Sequence, residues 1–509
     1  MTTKFTKTDA AARSRHLEID RATWAVGTLL VVTTILDFIV FRAQPLGIDE
    51  VWTGMIAGQG SISGLIRQCQ LDVNAPLAYV MSWLWAPLSG LSNSALRLPS
   101  TLFVCATPLL VLAARRDMPR RLRFVWAALL ACWVPGIMMA EQARCYASVI
   151  FLATGGTIAF VRVLRRPNLV EALIWTSLSS LLILDHYFAA ILVGCQGLAY
   201  LFVHREKALR TWPAALAFAP ALAALALKAQ MLTKFATPGV SLVSTVRLAD
   251  LPELLGFLAG APVAALAVSI WIMAGVIGEF RSRGGIAARP PQDDSQVAVG
   301  IAAIVALASG VIAVGLGFLI PILNERYLTI IAPGVFLGLA ALAHRFGRRQ
   351  PMAPVVLVAG FFGLALWFAA IVLFIAPRQT DSTFSFQSAS EALMADNARR
   401  LVFFWDNPAN QGGAGDTLAQ VGGFFFKRAG APIPIEAVPW TKGADPSATL
   451  LSRARTPGTA ILWIYDRNVV GTLALDHPPA IDRLAPNWSC RDFGGGSFGV
   501  LACHQRPAA

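Results

Sequence analysis

Charge is scarce in this chain. Only 14% of its 509 residues are Asp, Glu, Lys or Arg, whereas 56% are hydrophobic and the mean hydropathy is +0.60. Soluble domains carry roughly 25% charged residues, so an ordinary soluble protein is excluded and a polytopic membrane protein is implied. Acids are the scarcer sign, 29 against 42 basic residues. The resulting net charge of +13 would suggest nucleic acid in a soluble chain. Here the basic residues form short clusters beside apolar runs, so the excess reports orientation and implies no nucleic-acid partner. Metal motifs are missing as well: there is no HExxH or CxxC arrangement. Two adjacent acids alone make a poor divalent site, so a divalent metal is possible but no ligand is assigned. No cleavable signal is evident, because residues 1–21 are polar and basic and the first apolar run is too long for a signal core. Neither an internal repeat nor the paired broken helices of an inverted-repeat transporter is visible. Of only seven cysteines, Cys105, Cys132 and Cys195 lie in apolar runs, while Cys490 and Cys503 sit in the polar tail at a loop-like spacing. If that tail is outside the cytoplasm, the pair is expected to form a disulfide.

Apolar runs at 22–41, 98–114, 124–140, 147–164, 170–184, 187–203, 212–230, 255–278, 297–320, 328–343 and 353–375 predict membrane helices. Basic clusters before residue 22, at 115–123, 162–166, 204–210, 281–289 and 344–349 fall at alternate junctions. With the N-terminus in the cytoplasm, about eleven crossings satisfy all of them and leave the C-terminal tail outside. The apolar run at 75–91, interrupted by Pro87, must then be re-entrant or interfacial. From about residue 377 the composition becomes that of a small soluble domain. Runs at 401–405, 460–465 and 498–502 predict buried strands, and 390–398 and 415–427 helices between them. Gly494-Gly495-Gly496 follows no strand-to-helix pattern and reads as a flexible turn rather than a phosphate loop. The expected fold is therefore mainly α: a polytopic membrane helix bundle at 1–376, with outer juxtamembrane helices, and a small extracytoplasmic α/β domain at 377–509.

Polar side chains capable of chemistry gather at the outer junctions: Asp49-Glu50, with Asp72-Val73-Asn74 expected beside it, Glu141 to Tyr146, Asp185-His186-Tyr187, the loop at 231–254, and Asn324 to Tyr327. The adjacent carboxylates of Asp49 and Glu50 stand past the end of the first membrane helix, where packing gives no reason for an acidic pair. A general base needs such a carboxylate within reach of a substrate hydroxyl. Asp37, an acid inside the first span, is either functional or bonded to a neighbouring helix.

Asp49-Glu50, Asp72-Val73-Asn74-Ala75-Pro76-Leu77, Ala95-Leu96-Arg97-Leu98-Pro99-Ser100, Glu141 to Tyr146 and Glu325-Arg326-Tyr327 resemble the signposts of the membrane glycosyltransferases of the C-type fold. Within that group the chain looks similar to bacterial protein mannosyltransferases and to lipid A aminoarabinose and galacturonic acid transferases. The likeness is strongest over residues 40–150 and covers the tail only in outline. It implies transfer of a sugar from a polyprenyl phosphate to an acceptor hydroxyl on a glycan, lipid or protein. The reaction would lie at the periplasmic face of a bacterial inner membrane. Asp49 takes the place of the family's essential acid, with Glu50 beside it to orient the acceptor, help hold a metal, or remain solvated. The chain departs from the pattern at Asn74, where relatives carry His or Lys, so the lipid phosphate would rely on Arg67, Arg97, Arg144 or Arg326.

The chemistry agrees with that implication. A phosphate ester is already a good leaving group, so its departure needs cations rather than a proton donor. On the other side of the reaction a carboxylate must take the hydroxyl proton. Structural readings stand beside each candidate. Arg144 is placed to pair with Glu141 one turn away, and Arg326 either pairs with Glu325 or snorkels from a span end. Tyr146 and Tyr327 share those helix mouths, and His186 contacts sugar or phosphate or caps a short turn. Two other classes fit the composition: a flippase for lipid-linked sugars, disfavoured because the inner half of the spans offers almost no ionisable residue beyond Asp37 and Lys228, and a membrane-anchored glycan-binding partner.

Overall fold

The computed structural model describes residues 39, 44–131, 133–237, 244–260, 273, 294–346, 385–406, 415–439, 446–466, 481, 485, 487–493 and 498–505. Asp37, the expected spans at 22–41 and 353–375, most of that at 255–278, the triple glycine and the boundary at 376/377 lie outside them.

Three short helices follow the first expected span: α1 (Ile48–Ala57), α2 (Ile62–Leu71) and α3 (Leu77–Ser89). A 13-residue helix such as α3 is about 20 Å long, short of the ~30 Å hydrocarbon layer. It is tied to the outer loop by the Trp83 indole, which donates to the Gln59 carbonyl at 2.7 Å. The long helix α4 (Asn93–Ala113) starts at Ser92, whose hydroxyl accepts from the Ala95 N–H. Pro99 inside α4 has no N–H for the Ala95 carbonyl, and the Trp85 indole supplies that bond instead at 2.9 Å.

The bundle continues through α5 (Arg120–Ala131), α6 (Tyr146–Arg165), α7 (Leu169–Asp185), α8 (Ala189–His204), α9 (Ala219–Phe235), α10 (Leu251–Ala259), α11 (Asp294–Leu319) and α12 (Ala332–Phe346). Among the described residues four helices are long and apolar enough to cross a membrane: Asn93–Ala113, Tyr146–Arg165, Trp212–Phe235 and Asp294–Leu319. The bent pair Arg120–Ala131 and Val134–Glu141 is a fifth if it forms one span. Helix α6 is the central one: it packs on α4, α7 and α11. At the junction carrying the basic clusters, Asp117 is buried and accepts from Arg162 at 2.7 Å.

The tail forms a five-stranded sheet of order β2-β1-β3-β5-β4, from β1 (Arg400–Trp405), β2 (Ile435–Val438), β3 (Thr459–Asp466), β4 (Trp488–Asp492) and β5 (Phe498–Gln505). Strand β1 is parallel to both β2 and β3, and β5 runs antiparallel between β3 and β4. The three expected strands are present. Strands β2 and β4 were missed because they are short and carry charged or small residues on an edge, which weakens any apolar signal. A disulfide joins Cys490 and Cys503 across β4 and β5. The expected helix at 390–398 begins earlier, as α13 (Ser385–Ala395), and the one at 415–427 is two, α14 (Gly415–Gly422) and α15 (Phe424–Arg428).

Central strands covered on both faces read as unbroken apolar runs. One face of β1 and β3, with Leu401, Phe403, Ala460 and Leu462, shares a single core with Val51, Ile56, Leu65 and Leu96 of the outer helices. The other face, with Val402, Phe404, Ile461 and Trp463, packs on Leu450 and Trp488 of the tail. The tail is thus seated on α1 and α2. Gly54 permits the fit, since a Cβ there would lie 2.6 Å from the Phe424 ring.

Candidate functional site

The two carboxylates of the first outer loop occupy opposite surroundings. Glu50, at the third position of α1, is 5% exposed and its Oε2 accepts from the Gly47 N–H at 3.0 Å, closing the helix start. Arg97, 3% exposed, meets it in a two-pronged pair: Nε to Oε1 at 2.8 Å and Nη2 to Oε2 at 2.7 Å. The same Oε1 accepts from the Ala143 N–H at 2.8 Å. Arg97 also donates to the Gln44 and Pro45 carbonyls, each at 3.0 Å. Glu50 and Arg97, expected as catalytic and phosphate-binding groups, are instead turned into a brace between the first loop, α4 and the segment before α6. Ser100 and Thr101 of α4 extend it, donating to the Gln142 and Ala140 carbonyls at 2.6 and 3.1 Å.

Asp49, one residue earlier, points the other way and its side chain is 53% exposed. Its Oδ2 lies 3.9 Å from Arg326 Nη1, and Arg144 Nη1 donates to its backbone carbonyl at 3.2 Å. Arg144 reaches Asp49, and Glu325 faces Glu253 of α10. Burial and the Glu253 carboxyl push Glu325 above the ordinary Glu range. Burial opposes the charge of Arg144, yet Asp49, followed by Tyr79 and Tyr146, holds its pKa well above the usual value. Among the described residues the buried Arg144 Nε has no hydrogen-bond partner.

Aromatic rings wall this corner. His186 sits 6.1 Å from Tyr146 and 4.6 Å from Tyr327, centroid to centroid, and Phe188 is 5.4 Å from Tyr327. Burial, then the charge of Arg144, pushes His186 down to about 4, so its ring is neutral near pH 7. Its Nδ1 accepts from the Phe188 N–H at 3.3 Å, which fixes the turn after α7.

Asp72 and Asn74 make a local turn: Asp72 Oδ1 accepts from the Asn74 N–H at 2.6 Å and from its side-chain amide at 2.8 Å. The Asn74 amide also donates to the Tyr79 hydroxyl at 3.3 Å. Lys228 of α9 donates to the carbonyls of Cys69, Gln70 and Asp72 and so caps the end of α2. That lysine is thus tied to the loop that follows α2. Arg67 lies elsewhere, exposed and 3.6 Å from Asp416 of α14. Tyr79 and Phe188 were not anticipated. The available signal was tyrosine itself: of six in the chain, Tyr79, Tyr146, Tyr187 and Tyr327 fall at the outer junctions or just after one. Among the described residues no group of three or more His, Cys, Asp or Glu is placed to hold a metal ion.

No family model matches the chain, and no curated protein sequence matches it. Solved structures do. ArnT from Cupriavidus metallidurans in the apo state superposes with a TM-score of 0.56 at 13% identity, covering 95% of this chain and 98% of that one. The same protein bound to undecaprenyl phosphate gives 0.56 at 14% identity, over 94% and 98%. The arabinofuranosyltransferase AftD from Mycobacteria, at 14% identity and a TM-score of 0.47, covers 94% of this chain and 40% of that one, and adds nothing to the comparison. The chain thus shares the fold of these ArnT structures over nearly its whole length.

Proposed function

We propose that the protein transfers a sugar from a polyprenyl-phosphate carrier to an acceptor hydroxyl at the extracytoplasmic face of a bacterial inner membrane. The observation that carries this reading is one exposed carboxylate, Asp49, standing between two guanidinium groups, Arg144 and Arg326, at a single junction. The acceptor oxygen attacks the anomeric carbon while Asp49 takes its proton. The bond from that carbon to the phosphate oxygen breaks, and the carrier leaves as a phosphate bearing one more negative charge. Arg144 and Arg326 receive that charge, and the brace formed by Glu50 and Arg97 holds both sides of the junction in register. Tyr146, His186 and Tyr327 offer the sugar a wall of rings and neutral hydrogen-bonding groups. Likeness of fold to ArnT, which has been solved with undecaprenyl phosphate, supports a lipid-phosphate donor.

The test is transfer from a synthetic polyprenyl-phosphate sugar by purified protein. Asp49→Asn should lower turnover by about 10²- to 10⁴-fold at unchanged protein level. Wild-type turnover in that variant would remove Asp49 as the base. Sugar movement between leaflets of proteoliposomes without any acceptor would favour the flippase class instead.

A further inference from the structure

A cavity lies between the tail and the helices α1, α3 and α4. It measures about 1150 Å³, above the roughly 300–1,000 Å³ of usual small-ligand clefts. One wall is α1, the end of α3 and the turn into α4, and the other is α14, α15 and the approach to β2. Asp49 does not line it.

Its chemistry is uneven in a specific way. Lys427 and Arg428 both line it, and no Asp or Glu does. Lys427 is exposed, and among the described residues its Nζ makes one long contact, 3.5 Å, to the Gly58 carbonyl. Arg428 is held from the side: Nη1 donates to Asn93 Oδ1 at 2.6 Å, and its Cζ lies 4.8 Å above the Phe425 ring. A basic residue at a helix end can answer the helix dipole alone, but that accounts for neither the width of the cavity nor the amides and hydroxyls among its apolar walls. Gln59 and Gln420, bonded to each other at 2.9 Å across the cavity, add amides, and Ser89, Ser92 and Ser94 add hydroxyls.

We infer that this cleft binds an anionic saccharide, a sugar bearing phosphate or carboxylate, either free or as the headgroup of a glycolipid. The cations meet the anionic group, the amides and hydroxyls meet the sugar hydroxyls, and the apolar walls accept its C–H face. The cleft joins two regions distant in sequence, so an occupant bridging Gln59 and Lys427 also clamps the tail onto α1. This site is independent of the transfer chemistry.

The experiment is binding to the full chain in nanodiscs, measured calorimetrically with trigalacturonic acid and with maltotriose as the neutral control. Trigalacturonic acid should bind at least about tenfold more tightly than maltotriose, a difference of about 1.4 kcal/mol. Lys427→Gln, at an exposed position, should remove most of that preference. Arg428→Gln should do the same where the variant folds, and Asp49→Asn should leave it unchanged even as transfer is lost. Displacement of the trisaccharide by nanodiscs containing glucuronosyl diacylglycerol, and not by phosphatidylglycerol alone, assigns the glycolipid source. Displacement only by soluble glucose 1-phosphate assigns the free source, and displacement by neither overturns the proposal. Equal binding of the charged and neutral trisaccharides, or a preference untouched by Lys427→Gln, would overturn it too.

Discussion

Asp49 and Glu50 are neighbours in the chain and opposites in the structure. Glu50 is buried, bonded by Arg97 and by the backbone N–H groups of Gly47 and Ala143, and has little left to offer a substrate. Asp49 is half exposed and faced by two arginines that hold it only at a distance or through its backbone. One carboxylate is spent on architecture so that the next can be kept available. Successive residues on a helix point about 100° apart, and a one-residue step at the start of α1 is enough to separate the roles.

That contrast can be broken first at Asp49. Its replacement by Asn should cost about 10²- to 10⁴-fold in turnover while the thermal melting temperature in detergent stays that of the wild type. Glu50→Gln should do the reverse. Its amide would set N–H groups against the Arg97 donors, and breaking a buried pair from one side costs about 3–5 kcal/mol. The measurement is the melting temperature and the folded yield, and a variant as stable as wild type but inactive would make Glu50 a reacting group after all. At intermediate size, Arg144→Gln should lower turnover by about 10²-fold, as loss of a transition-state donor does. Arg326, more exposed, should matter less.

The contact between α10 and the Glu325 turn sharpens the picture with a pH signature. Glu325 is raised above the ordinary Glu value of 4.5 by burial and by Glu253. An acid whose folded pKa is raised binds its proton more tightly when folded. Its contribution is therefore full at pH values below that ordinary value and is lost as pH climbs through the raised one, when two negative charges must face each other. Hydrogen exchange of α10 should accelerate with that rise beyond the chemical rate, and Glu325→Gln should abolish the extra dependence.

The smallest effect is expected at Asp185. Ser148 Oγ lies 2.7 Å from the Cys145 carbonyl and 2.6 Å from Asp185 Oδ2, yet a hydroxyl has one proton for two acceptors. A carboxyl that carries its own proton completes the count, so Asp185→Asn, whose amide can donate in the same direction, should change stability by less than about 1 kcal/mol. Asp185→Ala should cost more. Melting of the two variants side by side decides it.

Much of the architecture was legible in composition and order. Unbroken apolar runs announced α4, α6 and α11, and a doubly covered strand announced β1 and β3, because both signals are local and repeat along the chain. The polar junctions stood out too, since basic clusters alternate with them along the chain. What stayed hidden was which polar groups satisfy one another. Arg67, Arg97, Arg144 and Arg326 look alike in sequence, but one lies against the tail, one against Glu50, and two against Asp49.

Order along the chain thus established a helical membrane protein, a small α/β tail and a row of polar junctions, because hydropathy and charge act residue by residue. Tertiary packing alone divided those junctions into brace and site and seated the tail on α1 and α2. Pairing energies depend on distance and burial between residues far apart in the chain, and neither quantity is written in local sequence.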